Sequence, residues 1–170
     1  NNMCALLVRH ILWFRKHYHR TVEIPDYQAE ICVSFAQGNI GKAVRLASSE
    51  QFAEIMAAAI HLCTHVREMD IAEITASVKA VTEFKMDIGD YMDLLALWYR
   101  DVLYFKATHD ANGILFKDHT RALREQTNKS SYEGIENILT GIANAKKRLT
   151  ANVNFDLTME LLFLLIKENS

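Results

Sequence analysis

Few residues in this chain have the types and spacing to do chemistry. His61 and His65 stand four apart, a helical spacing that can present two imidazoles to one metal ion. The protease motif H-E-x-x-H needs Glu after its first His, but Leu62 holds that place and no third ligand is apparent. The pair reads as surface histidines, and no metal site is expected. Gly38, Gly41 and Lys42 invite comparison with a phosphate loop. That loop has four residues between its glycines and a Ser or Thr after its lysine, whereas here there are two, and Ala43 follows. Cys4, Cys32 and Cys63 are odd in number, widely spaced and without a C-x-x-C pair, which argues against both a zinc module and a disulfide framework. A cytoplasmic chain with reduced thiols is the simplest reading. No catalytic residue and no cofactor are assigned.

Charge points the same way. Half of the 170 residues are apolar and the net charge is −2, so no general field would hold a phosphate backbone or an anionic membrane. Arg9, Arg15, Lys16 and Arg20 line the outer side of a helix over residues 5–19, and with no second basic run they read as a solvated face. Lys146, Lys147 and Arg148 suit the exposed carbonyls of a helix end. Arg100 and Asp101 break an apolar surface beside Trp98. Two readings stay open for them: a surface pair contributing ~0–1 kcal/mol, or a polar link that fixes how a neighbouring helix docks.

The elements that must position these residues all have helical period. Leu7, Ile11, Phe14 and Tyr18 mark the first. Pro25 and Asp26 open a second, with Tyr27, Ile31, Cys32 and Phe35 inward and Gly38 closing it; GNIGKAVRLAS starts a third. A fourth, from Ser49 to about Arg67, carries Phe52, Ile55, Met56, Ala59, Ile60, Cys63 and Val66. Asp70 and Glu73 form a capping box for a fifth, which carries Ile71, Ile74, Val78, Val81 and Phe84. Asp87 opens the longest, to about Thr108, with a seam of Ile88, Tyr91, Leu95, Trp98, Val102 and Phe105 widened by Leu94, Leu97 and Leu103. Asn112-Gly113 turns into a helix around Leu115 to Arg124, followed by a polar loop through Thr127 and Ser130. Ser131 caps a helix with Ile135, Ile138, Leu139, Ile142, Ala145 and Leu149 inward. No strand-period pattern occurs. The expectation is an all-α fold: a short three-helix unit over residues 1–48, then a bundle of about six helices over 49–170.

The last helix organises the rest. Asn154 is its N-cap, with Asp156 in its first turn. Leu157, Leu161, Leu164 and Leu165 make one stripe, while Leu162, Phe163 and Ile166 extend the apolar surface around most of the circumference. A single neighbouring layer does not cover that, and the run is too short for a membrane span of about 20 residues. Either it is the central core helix of the bundle, or a partner subunit completes its burial.

Three stretches, FAQGNIGKAVRLAS (Phe35 to Ser48), LLALWYRDVLYFK (Leu94 to Lys106) and AKKRLTANVNFDLTMELLFLL (Ala145 to Leu165), resemble in order and spacing the C-terminal half of bacterial clamp-loader subunits of DNA polymerase III. In that family the first stretch lies in the lid subdomain of an AAA-plus ATPase module, and the other two in the helical collar through which five subunits form a ring. The resemblance implies a lid over 1–48 and a collar over 49–170. It implies no turnover of ATP by this chain: the family's G-x-x-R-x-A pattern supplies a sensor-two arginine where Gly41 stands, and Lys42 lacks the planar fork of a guanidinium. Phe155 replaces a proline that family members often carry after the second Asn of the NVN turn. The P-loop, Walker-B run, Ser-Arg-Cys segment and zinc module of the family belong to its N-terminal domain, so a lid-plus-collar fragment is expected. Implied partners are the gamma or tau and delta subunits, with DNA met only within the complex. Residues expected in folding and docking of the collar are Trp98, Arg100, Asp101, Asn152, Asn154, Phe155, Leu162 and Phe163; Gly38, Gly41 and Lys42 would shape the lid. The alternatives are the same region of a gamma or tau ATPase, or a free-standing helical interaction module.

Overall fold

The caps chosen by the sequence decide where the helices begin. In the computed structural model, which describes residues 26–36 and 39–170, every regular element is helical. The α-helices are α1 (Asp26–Phe35), α2 (Ile40–Ala47), α3 (Glu50–His65), α4 (Ile71–Thr82), α5 (Ile88–Thr108), α6 (Thr120–Lys129), α7 (Tyr132–Thr150) and α8 (Phe155–Asn169), with 3₁₀ turns at Lys85–Asp87 and Lys117–His119. The fold is all-α. The expected helix over 5–19 with its arginines, and Pro25 and Gly38, lie outside the described residues.

Each start has a donor to satisfy. Asp70 accepts from the Glu73 amide at 2.8 Å and Glu73 accepts from the Asp70 amide at 2.7 Å, the reciprocal box the sequence predicts for α4. The Ser131 hydroxyl accepts from the Gly134 amide at 2.9 Å, and Asn154 Oδ1 from the Leu157 amide at 2.9 Å. Asn39 does the same for α2, accepting from the Lys42 amide at 2.9 Å.

The described residues gather in two compact units. One holds those up to Glu54 together with Leu115–Asp118. In it α1 packs on α2, Phe35 meets Phe52 edge to face at 5.3 Å, and Lys117 pairs with Glu30 at 2.8 Å. The other holds Ile55–Ile114 and His119–Ser170. Its axis is α5, which packs against α6 and α7 and buries Tyr91, Met92, Leu94, Leu95, Trp98, Tyr99, Asp101, Val102 and Phe105.

α8 is therefore not the central helix. It lies against α7 and α4, burying Thr158, Met159, Leu162, Phe163 and Ile166. Of the leucine stripe, Leu165 is half-buried and the rest is turned out: Leu157 is 53% exposed, Leu161 47% and Leu164 37%. α7 and α8 approach closely because two glycines face the contact. A Cβ on Gly134 would stand 2.7 Å from the Asn169 carbonyl oxygen, and one on Gly141 2.9 Å from a Leu165 methyl.

The sequence also misplaces α6. Leu115 and Phe116 precede the helix, and it runs on through Thr127 to Lys129, where a polar loop is predicted. Tertiary partners override weak local propensity there: Thr127 is buried, and its carbonyl accepts from the Lys106 ammonium at 3.0 Å.

Candidate subunit-docking surface

Two kinds of residue are needed to dock a helical unit, those that hold the surface in shape and those that form it. Of the residues expected at a docking face, Trp98, Leu162 and Phe163 are core residues. They are buried within their own unit, so they offer no face to a partner. Trp98 Nε1 donates to Gln126 Oε1 at 2.7 Å, and Phe163 meets Tyr91 with ring centroids 6.3 Å apart. Asp101 is wholly enclosed, with Arg100 Nη2 2.6 Å from its Oδ1 and the arginine half exposed. An ordinary surface pair would leave both partners in water, so that reading of Arg100–Asp101 fails.

The loop between α7 and α8 explains the asparagines. Asn152 has φ 56°, the left-handed region an L-residue enters at a cost and asparagine enters more readily than most. Its amide donates to the Leu149 carbonyl at 3.1 Å and the Val153 amide to the Arg148 carbonyl at 3.0 Å, the paired bonds of a Schellman end. Asn154 then caps α8. Phe155 fills the first helical position, half-buried, with the Lys85 ammonium 5.5 Å from its ring centre.

The exposed apolar residues here are Val153, Leu157, Leu161 and Leu164, with Met86 fully exposed beside the Lys85 that covers Phe155. Leu157, Leu161 and Leu164 follow the 4-3 spacing of a helix-packing seam. Their outward orientation could not be read from sequence, because apolar residues occupy both faces of α8.

In the first unit Gly41 is exposed, and a Cβ there would touch only Asn39 Oδ1 at 3.5 Å. The absence of a side chain is thus not forced by packing. Lys42 places its ammonium 5.3 Å from the centre of the Phe35 ring. His61 and His65 stack with centroids 4.6 Å apart, and His65 Nδ1 lies 3.0 Å from the His61 carbonyl oxygen. No group of three or more His, Cys, Asp or Glu side chains able to hold a metal occurs among the described residues. No described helix is long and apolar enough to cross a membrane.

Comparison with curated proteins gives a match to DNA polymerase III subunit delta' of Bacillus subtilis, 30% identical over 134 residues, which is 76% of this chain and 40% of that subunit. The chain is similar to a delta' subunit. The similarity lies with a C-terminal region of delta', as the three stretches imply, and the chain spans well under half of that relative's length. No family model matches, and no solved structure matches.

Within the delta'-like chain, sequence reasoning missed Gln126. Its Oε1 accepts from Trp98, and its Nε2 donates to the Tyr99 hydroxyl at 3.1 Å. Gln126 lies on the most polar helix, so nothing in its local pattern marks it. Burial pushes the Tyr99 phenol well up, Cys63 adds to this, and hydrogen bonds with Ser170 and Gln126 oppose it. Burial likewise raises the Cys63 thiol and the Tyr91 phenol, and takes the Cys32 thiol to about 12.

Proposed function

We propose that this chain is a non-hydrolysing, structural part of a replicative clamp loader, holding together the subunit ring that loads the sliding clamp on primed DNA. Residues 1–48 would be the lid and 49–170 the collar, acting in the cytoplasm beside gamma or tau and delta subunits, with DNA reached only through the complex. The similarity to a delta' subunit supports the assembly, and Gly41 at the sensor-two position supports the lack of hydrolysis.

The observation that carries the docking role is the outward leucine stripe of α8. Covering the exposed halves of three leucines contributes roughly 3 kcal/mol. Set against the several kcal/mol that association costs, this is too little for a lone pairwise complex but suits a ring in which each subunit is held by neighbours on two sides. The test is affinity capture by the tagged protein of purified gamma or tau and delta subunits. Retention of at least one is expected, and failure to retain any overturns the proposal.

A further inference from the structure

α8 is held unevenly along its length. Its hydrogen bonds to other elements gather in residues 167–170. Lys167 donates to the Arg67 carbonyl at 3.0 Å and to that of Met69, while Arg67 Nη1 donates to the Ser170 carbonyl at 2.8 Å. Asn137 Nδ2 donates to Asn169 Oδ1 at 3.2 Å, and the Asn169 carbonyl lies over Gly134. The Ser170 hydroxyl is 3.1 Å from that of Tyr99 and 3.5 Å from Gln126 Nε2, and it donates to the Ile166 carbonyl at 2.6 Å. Gln126 ties this cluster to Trp98 on α5. The opposite half of α8, by contrast, carries Leu157 and Leu161 outward and rests on apolar packing and the Lys85–Phe155 contact.

We infer that residues 167–170 form a polar lock, keyed by Gln126, that sets the pitch of α8 and so aims the Leu157–Leu161–Leu164 stripe at its partner. Gln126 is then a positioning residue, acting on docking through α8 without touching the partner. An amide that satisfies an indole, a phenol and a hydroxyl at once fixes one register of three helices, where an apolar side chain of equal length would accept several. The inference rests on the docking reading above.

The test compares the intact protein with Gln126→Met. Hydrogen exchange should show protection of the amides of residues 163–170 falling about tenfold or more, as expected when two or three such bonds are lost, with the middle of α7 unchanged. Capture of the retained clamp-loader subunit, measured well below the melting midpoint, should weaken several-fold. Should the variant not fold, Ser170→Ala, which removes the hydroxyl's bonds to Tyr99, Gln126 and Ile166 but leaves Gln126 its bonds to Trp98 and Tyr99, should lower protection in the same amides. Unchanged exchange at 163–170, or exchange lost evenly over all helices, overturns the lock. So does full capture by a variant whose α8 has loosened. If the unaltered protein captures nothing, the docking reading falls and the exchange pattern still decides whether the lock exists.

Discussion

At the scale of single residues, the two glycines of α7 separate packing from propensity. Gly134→Ala places a methyl 2.7 Å from the backbone oxygen of Asn169, which moves only if the end of α8 moves with it. A loss of about 1–3 kcal/mol in chemical denaturation is expected. Gly141→Ala meets only the end of the Leu165 side chain, at 2.9 Å, which can rotate away. Its helix-propensity gain of about 1 kcal/mol offsets the crowding, so the variant should fall within about 0.5 kcal/mol of the parent. Equal losses at both sites would refute the distinction. Gly41→Arg, on an exposed turn with room for a side chain, should leave the melting temperature unchanged or slightly raised. Titration is also read at this scale. Cys63, Tyr91 and Tyr99 keep their protons in the fold beyond the ordinary values of 9.0 and 10.0, because burial disfavours the anions. The unfolded chain releases those protons first, so this contribution is whole below about pH 9 and stability falls as pH rises above it. Urea midpoints between about pH 8 and 11 check the sign, and a flat profile would contradict it.

At the scale of elements, the start of α8 depends on one side chain. Asn154→Ala removes the acceptor for the Leu157 amide and should cost about 1 kcal/mol, visible as a lowered urea midpoint, whereas Asn154→Asp should keep most of it. The caps were legible because Asp70, Glu73, Ser131 and Asn154 act on amides three residues away, well within the reach of local reading. The buried seam of α5 was legible for a related reason: one helix period fixes Tyr91, Leu95, Trp98, Val102 and Phe105 on a common face. Two features were not. The extent of α6 depends on Thr127 and Lys106, which are distant in sequence, and Gln126 gains its role only when α5 and Ser170 arrive beside it. The facing of α8 was not legible for another cause. With leucines on one side and Met159, Leu162, Phe163 and Ile166 on the other, periodicity is satisfied by either side, and the choice falls to contacts with other helices, among them the close approach at Gly134.

At the scale of the whole molecule, docking and stability should separate along adjacent positions of one helix. Leu162 is 3% exposed and Leu161 is 47% exposed. Leu162→Ala opens a cavity in the second unit and should cost about 2–5 kcal/mol, lowering capture of clamp-loader subunits only as far as the protein unfolds. Leu161→Glu keeps the core intact and should change stability by no more than about 0.5 kcal/mol. It also sets a carboxylate into the seam that the proposed partner would cover, where an unpaired charge costs several kcal/mol, so capture should fall by at least about tenfold. The pair of results is diagnostic because a free-standing bundle has no reason to respond to Leu161→Glu at all. Capture that survives Leu161→Glu in a folded protein would move the docking surface away from α8, and with it the aim assigned to the Gln126 lock.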